Sequence, residues 1–253
     1  MSPKAPKTIA ILGATSAVAQ AFARLTCDRG TTRFLLLGRD QAQMTEILAD
    51  LIARGAAKDS LCIVGEIGNP DQVSALFENC SSKGPIDEVL IAYGMLGDQY
   101  ETQANSAAIE MLLDVNLVST LMWCEAFASH FEQFGVGKLA IIGSVAGDRG
   151  RQSNYLYGAT KAALECACEG MAHRFAGSDT IGITFVKPGF IDTPMTDHLN
   201  KSGPLWASPS KVARIIRNAM EARRTKVYAP WFWRWIMLII RALPVPIMHR
   251  TKL

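Results

Sequence analysis

The chain has 253 residues, of which 49% are hydrophobic, 8% aromatic and 19% charged, and its formal net charge is +3. This apolar content excludes a disordered chain and is sufficient for the core of one large domain. A nucleic-acid-binding protein usually has a much more basic balance or a clustered basic stripe, so we expect no nucleic-acid partner.

Short apolar runs alternate with segments of helical periodicity along the chain. The apolar runs predict strands at residues 8–12, 34–37, 61–64, 89–92, 139–142, 181–186 and 226–228. The periodic segments predict helices at residues 16–29, 41–54, 70–79, 107–134, 156–175 and 209–222. Gly30 is expected to end the first helix, and Asn69-Pro70 to begin the third. This alternation predicts an α/β fold, a doubly wound parallel sheet of about seven strands in a single domain, with ligands at the carboxyl ends of the strands.

The N-terminus and the cysteines bear on the location of the protein. The apolar run before Gly13 is too short for a signal peptide and is predicted to be a strand. The cysteines are scattered without metal-ligand spacing, so we expect free, buried thiols in a reducing compartment and no metal site. They are Cys27, Cys62, Cys80, Cys124, Cys166 and Cys168. The sequence therefore predicts a cytoplasmic protein.

A glycine-containing turn follows the first predicted strand. Such a turn lets the backbone approach a pyrophosphate at a helix N-terminus, although an ordinary strand-to-helix turn is the alternative. The residues that would contact a dinucleotide here are Gly13, Thr15, Ser16, Ala17 and Val18.

Arg39 follows the second predicted strand, within Gly38-Arg39-Asp40. An acidic residue at this strand end would bind a ribose 2′-hydroxyl, whereas an arginine suits a 2′-phosphate. The sequence therefore favours NADP over NAD as the cofactor. The alternative is a solvated arginine at the start of a helix.

Four polar residues suited to catalysis lie after the fifth predicted strand and within the long helix before it. Ser144 follows that strand, and Tyr157 and Lys161 lie four residues apart on one helix face. A lysine ammonium near a phenol is expected to lower the tyrosine pKa, and such a tyrosine can protonate a carbonyl oxygen as a hydride reaches its carbon. The serine hydroxyl can hydrogen-bond the same oxygen. Asn116 lies in an apolar segment, where its amide needs a partner and is expected to hold a water that relays protons to Lys161.

Together these residues resemble those of the short-chain dehydrogenase/reductase family over roughly residues 7–230. The matching segments are Gly13-x-x-x-Ala17-x-Ala19, Asn116, Ser144, Tyr157, Lys161 and Pro188-Gly189-Phe190-Ile191-Asp192-Thr193. The resemblance implies a Rossmann fold, NAD(P)H-dependent reduction of a ketone to a secondary alcohol, and a homo-oligomer. Tyr157 would be the acid or base, and Lys161 would bind the nicotinamide ribose. Ser144 would position the substrate oxygen, and Asn116 would support the proton relay.

The resemblance also implies cofactor contacts after the third, fourth and sixth strands. They are Glu66, Ile67, Ala92, Tyr93, Gly94, Pro188, Gly189, Ile191 and Thr193, together with Tyr157 and Lys161. The chain departs from the family pattern in three places. Ala17 and Ala19 replace two glycines, Ile91-Ala92-Tyr93-Gly94 replaces Asn-Asn-Ala-Gly, and Glu66 replaces an aspartate.

Four stretches resemble a narrower subgroup, the decaprenylphosphoryl-2-keto-ribose reductases of arabinose formation. They are residues 92–98, 144–151 and 194–199, and an ending that combines Ala229-Pro230, a tryptophan-rich helix and a proline break. This resemblance implies reduction of a 2-keto pentofuranose carried on a polyprenyl phosphate, a lipid-linked sugar of cell-wall synthesis. The subgroup resemblance also implies a separate flavin-dependent oxidase that forms the keto group of this sugar.

Residues 231–253 form a tail that we separate from a reductase domain at residues 1–230. Residues 231–243 are apolar except for Arg234 and Arg241, and they are too few to span a bilayer. Their tryptophans and arginines are typical of a helix that lies in the headgroup region. The alternatives are a helix in a dimer interface or under the substrate pocket.

The net charge is divided unevenly along the chain. Residues 1–200 carry 15 Lys/Arg and 22 Asp/Glu, whereas residues 201–253 carry 11 Lys/Arg and one acid, Glu221. A basic, aromatic tail suits anionic lipid or a lipid phosphate better than nucleic acid. We therefore expect peripheral contact with the inner face of the membrane, and we expect Pro244 and Pro246 to end the tail helix.

Three basic residues near the predicted pocket, and the function itself, have alternative interpretations. Arg149, Arg151 and Lys201 would either bind a substrate phosphate or be solvated at the surface. The protein would alternatively reduce a soluble or acyl ketone, with the tail as an oligomer interface. A non-catalytic dinucleotide-sensing protein is a further alternative, but such proteins commonly lack the tyrosine or the lysine, and both are present here.

Overall fold

The computed structural model describes residues 6–27, 29, 31–196 and 203–251. Gly30, residues 197–199 and Lys201, which carried sequence predictions, lie outside the described residues. The strands are β1 Lys7–Leu12, β2 Thr32–Gly38, β3 Leu61–Val64, β4 Glu88–Ile91, β5 Gly137–Ile142, β6 Ile181–Pro188, β7 Phe190–Ile191, β8 Trp206–Ala207 and β9 Lys226–Ala229.

Seven of these strands form one sheet in the order β3-β2-β1-β4-β5-β6-β9, and β7 pairs with β8 separately. Every neighbouring pair is parallel. Because β1 lies between β2 and β4, the winding direction reverses there, and the carboxyl ends of β1 and β4 border a crevice suited to a ligand. The predicted doubly wound sheet is therefore confirmed.

Helices cover both faces of the sheet. They are α1 Ala17–Cys27, α2 Gln41–Ala53, α3 Pro70–Ser81, α4 Gln99–Gln103, α5 Ser106–Leu113, α6 Ser119–Phe134, α7 Tyr155–Arg174, α8 Pro209–Glu221, α9 Trp233–Ala242 and α10 Val245–Met248. Helices α1, α2 and α8 bury Phe22, Met44 and Ile216 against one face. Helices α3, α6 and α7 bury their apolar residues, including Trp123 and Phe127, against the other face. The two layers complete the α/β architecture.

Local capping explains where several helices begin. The Asn69 side chain accepts a hydrogen bond from the backbone N–H of Asp71 (3.0 Å), and Pro70 occupies the first helical position of α3. This satisfies one of the unpaired donors at the helix start, as the sequence predicted. Helix α6 ends at Gly135, whose φ of 69° is a left-handed conformation that glycine adopts at little cost.

The helix predicted at residues 107–134 forms as one continuous helical stretch, Ser106–Phe134. A π-helical turn, Asp114–Val118, separates α5 from α6. Among the described residues, Ser106–Phe134 is the one helical stretch long and apolar enough to cross a membrane by length and composition. Trp123, Phe127 and Phe131 of this stretch are fully buried in the core against the sheet.

The tail packs against the domain rather than extending from it. Trp233 and Met237 of α9 are buried beside Val145, which follows Ser144. Pro244 ends α9 as predicted, but the chain continues into α10, which contains Pro246. The expected end of the tail helix is therefore confirmed for α9, and Pro246 is accommodated in α10 because proline is tolerated in the first turn of a helix.

Candidate active site

The turn after Ser144 packs closely against α7. A Cβ on Gly147 would lie 2.8 Å from the backbone nitrogen of Ala162, and a Cβ on Gly158 would lie 2.8 Å from the carbonyl oxygen of Ala146. The Oγ of Ser144 accepts a hydrogen bond from the backbone N–H of Ala146 (3.0 Å). This glycine-dependent contact, which sequence reasoning missed, fixes the serine beside the helix that carries the tyrosine and lysine.

Tyr157 and Lys161 lie one turn apart on α7, as predicted. The Lys161 Nζ lies 5.6 Å from the centroid of the Tyr157 ring and donates to the carbonyl oxygen of Ile142 (3.4 Å). Lys161 is only 4% exposed, whereas Tyr157 is partly exposed. The Ser144 hydroxyl interacts with the Tyr157 phenol. The structure thus brings the predicted serine, tyrosine and lysine together at the carboxyl end of β5.

The titration of Tyr157 and Lys161 differs from the sequence expectation. Burial raises the pKa of Tyr157 to about 12, and the hydrogen bond with Ser144 opposes this rise. Burial also lowers the pKa of Lys161 to about 8. The expected lowering of the Tyr157 pKa is therefore wrong for this structure, because burial disfavours the charged phenolate more than the Ser144 hydrogen bond favours it. Tyr157 therefore stays protonated at neutral pH, which is the form that can donate a proton.

Asn116 lies in the π-helical turn and is 1% exposed. Its Oδ1 accepts from the backbone N–H of Met95 (2.8 Å), and its Nδ2 donates to the Met95 carbonyl oxygen (2.7 Å). A Cβ on Gly94 would lie 2.9 Å from the Asn116 Oδ1 and 3.5 Å from the Lys161 Nζ. Asn116 is therefore close to Lys161, but its amide already binds Met95, and the relay water stays a prediction.

Gly13 is the one position of the nucleotide turn that requires glycine. Its φ is +78°, and a Cβ there would lie 2.8 Å from the Cβ of Tyr93. Ala17 and Ala19 lie in α1, where alanine is a favourable helical residue. The two alanines therefore leave the turn intact, and the N-terminus of α1 still faces the crevice at the end of β1.

Arg39 lies directly after β2. Its side chain is 80% exposed, and its Nη1 lies 4.0 Å from the Glu66 Oε2. Asp40, not Arg39, caps α2 by accepting a hydrogen bond from the backbone N–H of Gln43 (2.9 Å). Arg39 is therefore not needed to start the helix and is available to a phosphate at this strand end.

Ile67 lies in the core, and its predicted role as a cofactor contact stays a prediction. Its side chain is 7% exposed and belongs to the core. Its N–H donates to the Gly65 carbonyl oxygen (3.0 Å), and its own carbonyl accepts from the Trp123 Nε1 (2.9 Å). Ile67 therefore offers neither an exposed side chain nor a free N–H group.

The segment after β4 is held from both sides. The Ala92 N–H donates to the Leu12 carbonyl oxygen (2.9 Å). The Tyr93 hydroxyl pairs with the hydroxyls of Ser119 (2.9 Å) and Thr120 (3.2 Å), and burial raises the pKa of Tyr93 above its usual value. Tyr93 therefore anchors this segment to α6 through the hydrogen bonds of its phenol.

The loop after β6 lies under the tail. A Cβ on Gly189, which follows Pro188, would lie 2.0 Å from indole atoms of Trp233. The Ile191 carbonyl oxygen accepts from the Thr196 Oγ1 (2.7 Å), which in turn accepts from the Thr193 N–H (3.3 Å). These bonds shape the loop next to the crevice and leave its predicted cofactor contacts as predictions.

Arg149 has a structural partner. Its Nη1 donates to the carbonyl oxygens of Ile240 (3.0 Å), Arg241 (2.7 Å) and Leu243 (2.8 Å) at the end of α9. A cation at a helix C-terminus satisfies carbonyls that have no intrahelical partner. Arg149 thus has a structural role, and its predicted phosphate-binding role stays a prediction. Among the described residues, the Nε of Arg151 is buried and has no hydrogen-bond partner.

Lys187 was missed by sequence reasoning. Its fully buried Nζ pairs with Asp148 in the Ser144 turn and with Glu165 on α7. The Tyr228 hydroxyl also donates to Asp148 (3.2 Å), and Lys226 pairs with Glu165 (2.8 Å). A lysine directly before Pro188-Gly189 in an otherwise apolar strand is the sequence signal that points to this network.

Comparison with known proteins decides the family. The short chain dehydrogenase model matches residues 7–203, which is most of the chain. The chain belongs to the short chain dehydrogenase family. It is an oxidoreductase by this membership, and the sequence resemblance to the family is confirmed. The residues that the structure describes contain no group of three or more His, Cys, Asp or Glu arranged to hold a metal ion.

Relatives agree with this assignment without naming a substrate. An uncharacterized oxidoreductase of Mycobacterium tuberculosis is 28% identical, over 93% of this chain and 93% of the relative. One of Streptomyces coelicolor is 25% identical, over 97% of this chain and 96% of the relative. A short-chain dehydrogenase from Sphingobium yanoikuyae, solved in complex with NADPH, has a TM-score of 0.81 at 22% identity and covers 94% of this chain and 97% of its own.

Proposed function

We propose that this oxidoreductase uses NADPH to reduce a ketone to a secondary alcohol. The observation that carries the proposal is the grouping of Ser144, Tyr157 and buried Lys161, with the pKa of Tyr157 raised to about 12. A protonated phenol beside a serine hydroxyl can donate a proton to a substrate oxygen, which is the proton-transfer step of a reduction.

The nucleotide end fits a dinucleotide with a 2′-phosphate. Gly13 leaves the turn open at the N-terminus of α1, so that Thr15, Ser16, Ala17 and Val18 would hold the pyrophosphate. The exposed Arg39 side chain supports NADP over NAD, as does the NADPH bound to the Sphingobium protein. When bound, NADPH supplies the hydride.

The protein's own side chains would handle the proton. Ser144 and Tyr157 would donate hydrogen bonds to the ketone oxygen, and the phenol proton would transfer to it as negative charge develops. The Lys161 ammonium would then stabilise the phenolate left on Tyr157. Asn116, through its two hydrogen bonds to Met95, would hold the backbone beside Lys161 in place.

We further propose that the ketone is a 2-keto pentofuranose carried on a polyprenyl phosphate. The resemblance of four sequence stretches to the decaprenylphosphoryl-2-keto-ribose reductases supports this substrate. So does an aromatic surface beside the loop after β6, where Phe190 stacks on Trp206 at 5.2 Å and meets Trp233 edge-on at 5.4 Å. Such a surface suits both a sugar ring and an apolar chain, and the buried Arg151 Nε is a candidate for the phosphate.

A panel of three ketones tests the substrate. The full chain is given NADPH with the lipid-linked keto sugar, with the same sugar lacking the prenyl chain, or with a short acyl ketone, and the loss of nicotinamide absorbance is followed. We expect kcat/KM to be at least about tenfold higher for the lipid-linked sugar, since remote binding energy lowers the barrier. Preference for the acyl ketone would support the alternative of a reductase of soluble or acyl ketones instead. No turnover with any of them would favour a dinucleotide sensor.

The proposed substrate requires a preceding reaction. Its keto group must arise by oxidation of the sugar 2-hydroxyl, so we propose a separate flavin-dependent oxidase as the supplier, in keeping with the subgroup resemblance.

We also propose a homo-oligomer. Met111, Leu113, Val118 and Met122 are exposed apolar residues on the stretch Ser106–Phe134 that a second copy would cover. Sedimentation of the full chain tests this assembly.

A further inference from the structure

The tail helices have two apolar faces. One faces the domain and consists of Trp233, Met237 and Ile240. The other, which we call the tail face, is exposed to solvent. It consists of Trp231, Trp235, Leu238, Ile239, Val245 and Ile247, with exposed fractions of 51% to 71%. A contiguous group of exposed apolar side chains of this size marks a surface that contacts something else.

The tail face is not the side of α9 that packs against the domain. The opposite side of α9 already fills its place, because Trp233 lies against Gly189 and Met237 is fully buried. Arg149 holds the last turn of α9 by three carbonyl oxygens. With both the inner side and the end of the helix fixed, the outer residues cannot turn inward without breaking these contacts.

The charges around the tail face select its partner. Residues 222–251 contain no acidic side chain. Arg234, Arg241 and Arg250 are exposed, and none of them pairs with a carboxylate within the described part of the chain. A second copy that met this face about a twofold axis would bring the same arginines together without acids to balance them, and like charges in contact repel. Anionic lipid headgroups supply the missing negative charge, and the acyl region accommodates the tryptophans and isoleucines.

The geometry of α9 suits a helix that lies in the plane of a bilayer. Its 10 residues are far fewer than a membrane-spanning helix needs. Trp231, in the turn before α9, and Trp235 are both exposed, and the Arg234 guanidinium lies 5.8 Å from the Trp235 ring centroid. Tryptophan next to arginine is the combination that anchors a helix at the headgroup level.

We propose that the tail face docks the protein on an anionic membrane surface. Docking would bring the loop after β6 to the membrane, because Trp233 on the inner side of α9 covers Gly189 of that loop. A ketone dissolved in or tethered to the bilayer would then reach the crevice without leaving the lipid. The proposal concerns the surface alone and does not depend on which ketone is reduced.

Vesicle flotation of the full chain tests the proposal. The probes are vesicles of phosphatidylcholine and vesicles of phosphatidylcholine and phosphatidylglycerol mixed one to one, each at low and high salt. We expect binding to the mixed vesicles at low salt, at least about tenfold stronger than to phosphatidylcholine, and weakening with salt as screening predicts. A blue shift of tryptophan fluorescence should accompany binding.

Variants locate the surface. Trp231→Ser with Trp235→Ser should abolish flotation, and Arg234→Gln with Arg241→Gln should weaken it about thirtyfold, since each basic side chain contributes roughly fivefold near an anionic surface. The matched control, Tyr100→Ser with Val136→Ser, removes two side chains that are 63% and 42% exposed outside the tail and should leave flotation unchanged. Circular dichroism and reduction of a water-soluble ketone by each variant report folding and reductase activity separately.

Three results would overturn the proposal. They are equal flotation of the tryptophan variant and the native chain, no flotation with either vesicle, and conversion of a native oligomer to a monomer by the tryptophan variant without any lipid binding. The last result would assign the tail face to a second copy. Loss of reductase activity in a protein that still floats would count against the proposed function alone.

Discussion

Lys187 donates from its fully buried Nζ to the carboxylate of Asp148, four residues beyond Ser144. The same nitrogen pairs with Glu165, four residues beyond Lys161. Burial alone would raise the pKa of the Glu165 carboxyl, but Lys187 and Lys226 together lower it below its usual value. One lysine therefore joins the turn that carries the catalytic serine to the helix that carries the tyrosine and lysine. A buried cation with two carboxylate partners holds such elements in a single arrangement.

Removing this cation should destabilise the protein. Lys187→Met leaves the buried Asp148 carboxylate without its cation, while Glu165 keeps Lys226, and breaking a buried pair costs about 3–5 kcal/mol. We expect a loss of this size in the free energy of unfolding, measured with urea. Lys211→Met, at an exposed position of α8, is the control and should change it by less than about 0.5 kcal/mol. Equal free energies of unfolding for the two variants would show that Lys187 does not stabilise the contact between the Ser144 turn and α7.

The rate of reduction should depend on the ionisation of Lys161. Because burial lowers the pKa of Lys161 to about 8, its ammonium is present below that pH and is lost above it. Reduction should therefore be fast below pH 8 and should fall about tenfold per pH unit above it, whereas alcohol oxidation should rise. The profile of kcat against pH measures this. Lys161→Met should be slow and should lose the inflection; an unchanged inflection in that variant would assign it to another group.

Arg39 should set the preference for the cofactor. Arg39→Ala removes a charge-assisted contact to a 2′-phosphate, worth about 1.5–3 kcal/mol, so kcat/KM with NADPH should fall roughly ten- to hundredfold. The value with NADH should change less than about twofold, because NADH lacks that phosphate. Arg54→Ala, at the end of α2, serves as the matched control. An equal loss with both cofactors would mean that Arg39 acts on structure instead.

Arg149 should stabilise the tail. Arg149→Met deletes the donor to three carbonyl oxygens at the end of α9, and we expect a loss of about 2 kcal/mol in local stability. Amide hydrogen exchange should become faster in α9 and stay unchanged in α1. If exchange were unchanged while KM for a phosphate-bearing ketone rose, the result would support phosphate binding by Arg149 in place of this structural role.

The sequence predicted the elements whose causes are local. Alternating apolar runs predicted the parallel strands, and Asn69-Pro70 predicted the start of α3. The four-residue spacing of Tyr157 and Lys161 predicted their shared face, because helix geometry alone determines it. Their order after Ser144 was enough to indicate the family.

What the sequence did not predict depends on contacts between distant residues. Lys187 and Asp148 are 39 residues apart, and Arg149 meets Leu243 across 94 residues. The predicted long helix is present, but its apolar pattern gave no sign of the π-helical turn at Asn116. The sign of the Tyr157 shift also escaped prediction, because it depends on burial of the phenol rather than on the neighbouring lysine.

Proton donation by the Tyr157 hydroxyl can be tested by comparing two tyrosine variants. Tyr157→Phe keeps the ring and removes the hydroxyl, whereas Tyr155→Phe does the same two residues earlier at an exposed position. With NADPH and a ketone that the native chain reduces, Tyr157→Phe should lower kcat by about a hundred- to ten-thousandfold, and Tyr155→Phe should leave it nearly unchanged. Full turnover by Tyr157→Phe would contradict the account.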